Sequence, residues 1–134
     1  EASAVHGITT ERALQEGEAL LDVIYAFGAD LNQSQLVVGH NLDYALHILG
    51  AEYVRLGYDS RIMFARPTLC TMLATIDFCQ IPGAFGYKWP KLMELYTKLF
   101  GHEFAPEGAH DAMADIRATK ECFFELLKRG LVRL

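Results

Sequence analysis

A short apolar run, Leu36-Val37-Val38, most constrains the fold, because it lies between two segments of helical character. The run is rich in β-branched residues and ends at Gly39, which is typical of a buried strand in a mostly parallel sheet. Before it, from Glu11 to Leu31, apolar residues recur at helical spacing, and the same holds from Asp43 to Gly57 after it. A strand between two amphipathic helices predicts an α/β domain.

The rest of the chain predicts a second strand and two more helices. Either Thr9 or Thr10 is available to cap the first helix. Residues 67–75 look like another strand, although the apolar run is too short for periodicity to decide between strand and helix. The later predicted elements are a loop over 81–89, a helix over 90–100 with proline in its first turn, a polar loop, and a last helix over 111–129.

The bulk composition indicates one globular domain that spans residues 1–134, since 51% of the residues are hydrophobic and 22% are charged. No apolar run approaches the roughly 18 residues that a membrane span needs, and no basic segment followed by an apolar one opens the chain. We therefore expect a cytoplasmic protein with no membrane partner. The three cysteines are an odd number without metal-type spacing, which predicts free buried thiols in a reducing compartment.

The net charge of -5 argues against a protein that holds nucleic acid mainly through a basic surface. This net charge does not exclude an enzyme that binds phosphate through metal ions.

The strongest local motif is His110-x-Ala112-x-x-Asp115, followed by helical sequence. Residues five apart on one helix lie about 140° apart around its axis, so His110 can share a site with Asp115 only from the loop before the helix. Gly108 permits a bend there, and the small Ala112 allows a close approach to a neighbouring backbone. Asp115 is then expected to point from the first turns into a cavity.

This motif resembles the third motif of the DEDDh family of 3'-5' exonucleases, to which the proofreading subunit of bacterial replicative polymerases belongs. Other segments also look like a bacterial branch of this family, in collinear order from about Ser3 to Gly130. They are "VHGITTE", "VVGHN", "GAEYVRLG", "CTM" and "KWPKLMELYTKLFG".

The resemblance implies a three-layer ribonuclease-H-like exonuclease fold and a two-metal mechanism with Mg2+ or Mn2+. In the family, the histidine that matches His110 is the general base that activates water, and the aspartate that matches Asp115 binds a metal. The expected partner is the 3' end of single-stranded DNA or RNA. The residues that the resemblance implies for substrate binding are His6, Gly7, Ile8, Thr9 and Asn41. In the family, the isoleucine that matches Ile8 packs against the terminal base.

The chain departs from the family at two metal-binding motifs. The second motif, H-N-x-x-[FY]-D, matches at His40, Asn41 and Tyr44, but its aspartate falls on Ala45. Asp43 lies two residues earlier, about 200° away around a helix, so it is better explained as an N-cap or a solvated acid of the first turn. No Asp-x-Glu pair, the first motif, occurs in the chain.

We therefore expect an exonuclease domain whose sheet lacks its first strands and whose metal site is incomplete, so that the chain as given is inactive and binds metal weakly or not at all. A covered sheet edge, for example in a homo-oligomer, is expected as well. The alternative is a non-catalytic nucleic-acid-binding or assembly module with the same fold.

The remaining polar and aromatic residues have less specific interpretations. His40 is expected to support the backbone, while His47 and His102 are expected at the surface. Trp89 could stack a base, but its neighbours Pro90 and Leu92 favour a place in the core. The basic residues that could meet phosphates, or form a solvated face, are Lys88, Lys91, Arg117 and Lys120.

Overall fold

The computed structural model describes residues 3–104 and 112–134, with the side chain of Val5 excepted. The protein is of mixed helix and strand composition, which confirms the predicted α/β class. Its elements are the helices α1 (Ser3–His6), α2 (Thr10–Glu16), α3 (Leu20–Gln33), α4 (Leu42–Arg55), α5 (Thr71–Ala74), α6 (Ile76–Cys79), α7 (Leu92–Phe100) and α8 (Ala112–Lys128), the 3-10 helix Ser60–Phe64, and the strands β1 (Val37–Gly39), β2 (Thr68–Cys70), β3 (Pro82–Gly83) and β4 (Gly86–Tyr87).

The chain divides into two compact units, and the first comprises residues 1–37 and 44–67. Its buried apolar side chains come from α3, α4 and the 3-10 helix: Ile24, Leu31, Leu46, Tyr53 and Met63. The buried Tyr53 hydroxyl donates a hydrogen bond to the Ile24 carbonyl oxygen at 3.1 Å, which joins α4 to α3. The apolar face predicted from helical spacing is therefore confirmed only in part, because Leu14, Leu20 and Leu21, which share that spacing, are exposed.

The long helix predicted from Glu11 to Leu31 is wrong as a single element, because the chain breaks between Glu16 and Leu20 into α2 and α3. At Gly17 the chain leaves the helix, and an added Cβ there would lie 2.3 Å from the carbonyl oxygen of Ala13. Only glycine tolerates that approach. The predicted cap is confirmed, since the Thr9 side chain accepts a hydrogen bond from the Arg12 backbone N–H at 3.1 Å.

The second unit comprises residues 38–43 and 68–134. Helices α7 and α8 supply most of its buried apolar side chains, among them Leu95, Leu99, Cys122 and Leu126. Two hydrogen bonds connect these helices: the Tyr96 hydroxyl donates to Glu121 at 2.6 Å, and the Arg129 guanidinium donates to the Leu99 carbonyl oxygen at 2.7 Å. The predicted last helix is confirmed as α8, with its ends shifted by one residue each.

Three predicted elements of this unit differ in extent. The strand expected over residues 67–75 ends at Cys70 and continues as α5. The loop expected over 81–89 contains a hairpin, in which Pro82 pairs with Tyr87 and Gly83 pairs with Gly86. Pro90 precedes α7 rather than entering its first turn, because Lys91 is the N-cap. Gly101 ends α7 in the left-handed conformation, as the sequence predicts.

The strands of the described residues form two small sheets, β1 with β2 and β3 with β4. Thr71, which follows β2, contacts Gly39 and His40 at the end of β1, so the carboxyl ends of both strands meet, as in a parallel pair. Among residues 3–104 and 112–134, no helix has the length and apolar content needed to cross a membrane.

Candidate functional site

The chain turns sharply where β1 leads into α4. A Cβ at Gly39 would lie 2.8 Å from Leu42 Cδ1, so the close approach of the helix start requires glycine there. Asn41 adopts a left-handed backbone with φ 59°, which asparagine tolerates better than most residues. The sequence Gly-His-Asn thus fits a tight strand-to-helix turn with His40 at its centre.

His40 makes hydrogen bonds with both ring nitrogens. Its Nε2 lies 2.9 Å from the Pro90 carbonyl oxygen, and its Nδ1 lies 3.0 Å from the Thr71 hydroxyl oxygen. A carbonyl oxygen only accepts, so Nε2 carries a proton and donates it to Pro90. These contacts agree with the predicted structural role of His40, since they connect the ends of β1 and β2 with the residue before Lys91.

Burial lowers the pKa of His40 below its ordinary value, while the hydrogen bond to Pro90 and the negative charge of Asp115 act in the opposite direction. The neutral ring is therefore favoured, and its Nδ1 accepts a hydrogen bond from the fully buried Thr71 hydroxyl. The same hydroxyl lies 3.3 Å from the Gly39 carbonyl oxygen. Since the hydroxyl has a single proton, it donates to only one of these acceptors at a time.

Asp115 lies in the first turn of α8, half-buried, and interacts electrostatically with His40. Helix α8, which carries Asp115, packs on α5, which begins at Thr71 directly after β2, while His40 directly follows β1. In α/β sheets the carboxyl ends of the strands are where ligands bind. We define His40, Thr71 and Asp115 as the strand-end cluster.

Of the other residues that the sequence places at this site, only some lie in the described part of the chain. His110 lies outside the described residues. Asp43 is exposed in the first turn of α4, in agreement with the predicted solvated acid, and Ala45 is exposed on the same helix. Within residues 3–104 and 112–134, no group of three or more His, Cys, Asp or Glu side chains could hold a metal ion. Asp115 is the only carboxylate of the strand-end cluster, which does not fit two divalent cations.

The predicted substrate residues His6, Gly7, Ile8 and Thr9 form one exposed turn of the first unit. The Ile8 backbone N–H donates to His6 Nδ1 at 3.1 Å, and Gly7 has a left-handed φ of 71°. Ile8 itself is 48% exposed, so its side chain is available for an apolar contact. Asn41 belongs to the second unit, where it is exposed beside His40.

The sequence predictions missed two features of the second unit. Thr71 was not singled out, although a hydroxyl residue directly after an apolar strand is a usable signal for a polar contact at a strand end. The predicted core position of Trp89 is wrong, because this side chain is 61% exposed while its neighbour Pro90 is buried. The alternation Phe85-x-Tyr87-x-Trp89 has the period of a strand and could have indicated the hairpin.

His47 and His102 are both exposed, as the sequence predicts. The His47 ring packs on Phe64, with centroids 5.3 Å apart.

No protein-family model matches the chain, and no curated protein matches it significantly. The class that the fold and the cluster define is a mixed α/β domain with polar residues gathered at the carboxyl ends of two strands.

Proposed function

We propose that this chain is a 3'-5' exonuclease domain of the DEDDh type, with a ribonuclease-H-like fold, which binds the 3' end of single-stranded nucleic acid. As given, the chain lacks three of the four metal-binding carboxylates that the family uses, and it does not hydrolyse its ligand. DNA and RNA both remain candidate substrates.

The observation that carries this proposal is that His40, which bonds to Thr71 at the start of α5, and Asp115 on α8, which packs on α5, belong to one compact unit. His40 comes from the segment that resembles the second motif, and Asp115 from the segment that resembles the third. An unrelated α/β domain has no physical need to keep these two segments together. The collinear order of the motifs supports the same origin.

The chain's own residues can bind and position a ligand. Ile8 offers an exposed apolar side chain, and the turn from His6 to Thr9 is fixed by the capping bond of Thr9. His40 has both ring nitrogens engaged, so it supports the strand end rather than transferring protons. The described residues do not fit a two-metal set, and we therefore assign no hydrolytic step to this chain.

The second candidate function is a non-catalytic nucleic-acid-binding module. The sequence favours it, because Ala45 stands where the second motif has its aspartate and the chain contains no Asp-x-Glu pair, whereas a binding module does not need these metal ligands.

Restoring the absent carboxylates separates the two candidates. We would fuse an upstream segment that supplies paired strands with an Asp-x-Glu motif, introduce Ala45→Asp, and follow the 3' trimming of 5'-labelled single-stranded DNA and RNA with Mn2+. The exonuclease proposal expects trimming by the restored protein, and expects His110→Ala to abolish it. A matched control carries Asn-x-Gln in the fused segment and Ala45→Asn.

If the restored protein folds but trims neither substrate, while the original chain binds single strands, the binding-module candidate replaces the exonuclease proposal. Circular dichroism and thermal unfolding of the restored protein establish that it folds.

A further inference from the structure

Three aromatic side chains project from the hairpin of β3 and β4. Phe85 at the tip is fully exposed, Tyr87 is 49% exposed and Trp89 is 61% exposed. Residues 83–89 line an open cleft of about 280 Å³. Large aromatic rings usually contribute to cores or interfaces, so three exposed rings on one short hairpin indicate a binding surface. We refer to Phe85, Tyr87 and Trp89 as the aromatic hairpin.

The backbone that carries these rings is anchored on both sides of Trp89. The Lys88 N–H donates to the Ile81 carbonyl oxygen at 2.8 Å, and its ammonium group pairs with Glu94 at 2.7 Å. Pro90 is buried, and its carbonyl oxygen accepts the hydrogen bond of His40. Because the backbone is already fixed, a ligand that stacks on the rings does not have to order the hairpin first.

The local charge of this segment is opposite to that of the whole chain. Residues 82–93 contain two lysines, Lys88 and Lys91, and no acidic residue, so their charge is +2, whereas the chain carries -5. Glu94 pairs with the Lys88 ammonium group and also attracts Lys91, which is exposed two residues after Trp89. The surface thus combines stacking rings with a basic side chain and suits a ligand with flat apolar faces and negative charge.

We propose that the aromatic hairpin is a stacking site for the unpaired bases of single-stranded nucleic acid, with Lys91 beside the phosphate backbone. Aromatic side chains stack on any base, since every base has a π-face, and basic residues nearby follow the backbone. The inference rests on the proposed function for its ligand class, but it requires neither metal nor hydrolysis. The aromatic hairpin belongs to the second unit and the turn of His6 to Thr9 belongs to the first.

The chain offers a direct reporter, because Trp89 is its only tryptophan. Titration of the intact protein with oligothymidylate or oligouridylate in EDTA is expected to quench the tryptophan fluorescence in a saturable way. An abasic oligonucleotide of the same length keeps the phosphates and lacks the bases, so it is expected to bind far less. A blunt duplex, whose bases are paired, is expected to behave like the abasic strand.

Variants test the site through the anisotropy of a labelled oligonucleotide. Trp89→Ala is expected to weaken binding about 5- to 150-fold, which corresponds to a stacking contribution of about 1–3 kcal/mol per base. Trp89→Phe keeps a ring and is expected to retain most of the affinity. Tyr25→Ala removes an aromatic side chain of the first unit that is 79% exposed, and this variant is expected to bind like the original chain.

Three results would overturn the inference: absence of oligonucleotide binding, equal affinity of Trp89→Ala and the original chain, or equal binding of abasic and normal strands. Self-association that Trp89→Ala abolishes, in the absence of oligonucleotide binding, would assign the surface to a second copy instead. The proposed function is tested separately, because trimming by the restored protein can succeed while the hairpin variants show no effect.

Discussion

The Nε2 atom of His40 donates a hydrogen bond to the carbonyl oxygen of Pro90, fifty residues further along the chain, at 2.9 Å. This bond connects the end of β1 with the residue that follows the aromatic hairpin. Through its Nδ1 the same ring reaches Thr71 at the end of β2. One side chain therefore stabilises the strand-end cluster and the base of the aromatic hairpin together.

Replacement of His40 by alanine is expected to destabilise the protein by about 1–3 kcal/mol, because the buried Thr71 hydroxyl and the Pro90 carbonyl lose a partner. Urea unfolding at neutral pH measures the effect. His40→Gln is the control, since its amide N–H can still donate to Pro90, and it is expected to lose less stability than His40→Ala. Equal stability of the original chain and His40→Ala would contradict the connecting role of this ring.

The lowered pKa of His40 predicts a pH dependence of stability. A histidine whose pKa is lower in the folded state binds a proton more readily when the protein is unfolded. Its contribution to stability is therefore present above the pKa of the unfolded state, near 6.5, and is lost as the pH falls below that pKa. The free energy of unfolding, measured from pH 8 downward, is expected to decrease once the pH is below about 6.5. His40→Gln lacks the titrating ring and is expected to show a smaller decline, whereas identical profiles would exclude His40 as the source.

The three cysteines are expected to differ in their reaction with a thiol reagent. Cys79 and Cys122 are buried and Cys70 is half-buried, and none of them forms a disulfide. Burial raises the pKa of Cys79 and, to about 12, that of Cys122, so both stay protonated and unreactive near neutral pH. In the native protein about one thiol per chain is expected to react quickly with the reagent. Cys70→Ser is expected to remove this fast reaction. Fast labelling of the Cys70→Ser variant would contradict the packing around α7 and α8.

The sequence predicts the helices of this protein well where apolar spacing continues without interruption. The last helix and the helix after β1 are found within a few residues of their predicted ends, since each has one apolar face to bury. The break at Gly17 was missed because apolar residues continue at helical spacing across it, whereas α2 ends where Gly17 adopts an extended backbone. Short elements such as β3 and β4 depend on pairing with each other, which spacing alone does not reveal.

The candidate site was predictable only in part, for a similar reason. Asp115 could be found from local spacing with its neighbours in the chain. Thr71 and the Pro90 carbonyl contribute through contacts with His40 that span 31 and 50 residues, so a local pattern suggests a polar contact at Thr71 but identifies neither its partner nor the role of Pro90. The exposure of Trp89 was misjudged because the neighbouring Pro90 is buried while Trp89 points outward.

Metal binding provides a further test. The chain is expected to bind Mg2+ or Mn2+ weakly or not at all at Asp115, because one carboxylate supplies too few oxygen ligands for two cations. Titration calorimetry with MnCl2 is expected to show no saturable heat above that of Asp115→Asn, which is the matched control. Two tight sites that Asp115→Asn removes would mean that other acids of the chain complete the set.

Ala45→Asp is expected to restore neither metal binding nor activity by itself. Ala45 is exposed near the start of α4, where a negative charge interacts favourably with the helix dipole. The free energy of unfolding of the variant is therefore expected to lie within about 0.5 kcal/mol of that of the original chain. With Asp115, the variant has two of the four carboxylates that the family uses and still has no Asp-x-Glu pair, which is too few ligands for two cations. A labelled single strand incubated with Mn2+ is therefore expected to stay intact, as with Ala45→Asn. Trimming by Ala45→Asp that Ala45→Asn does not reproduce would show that another carboxylate of this chain replaces the Asp-x-Glu pair.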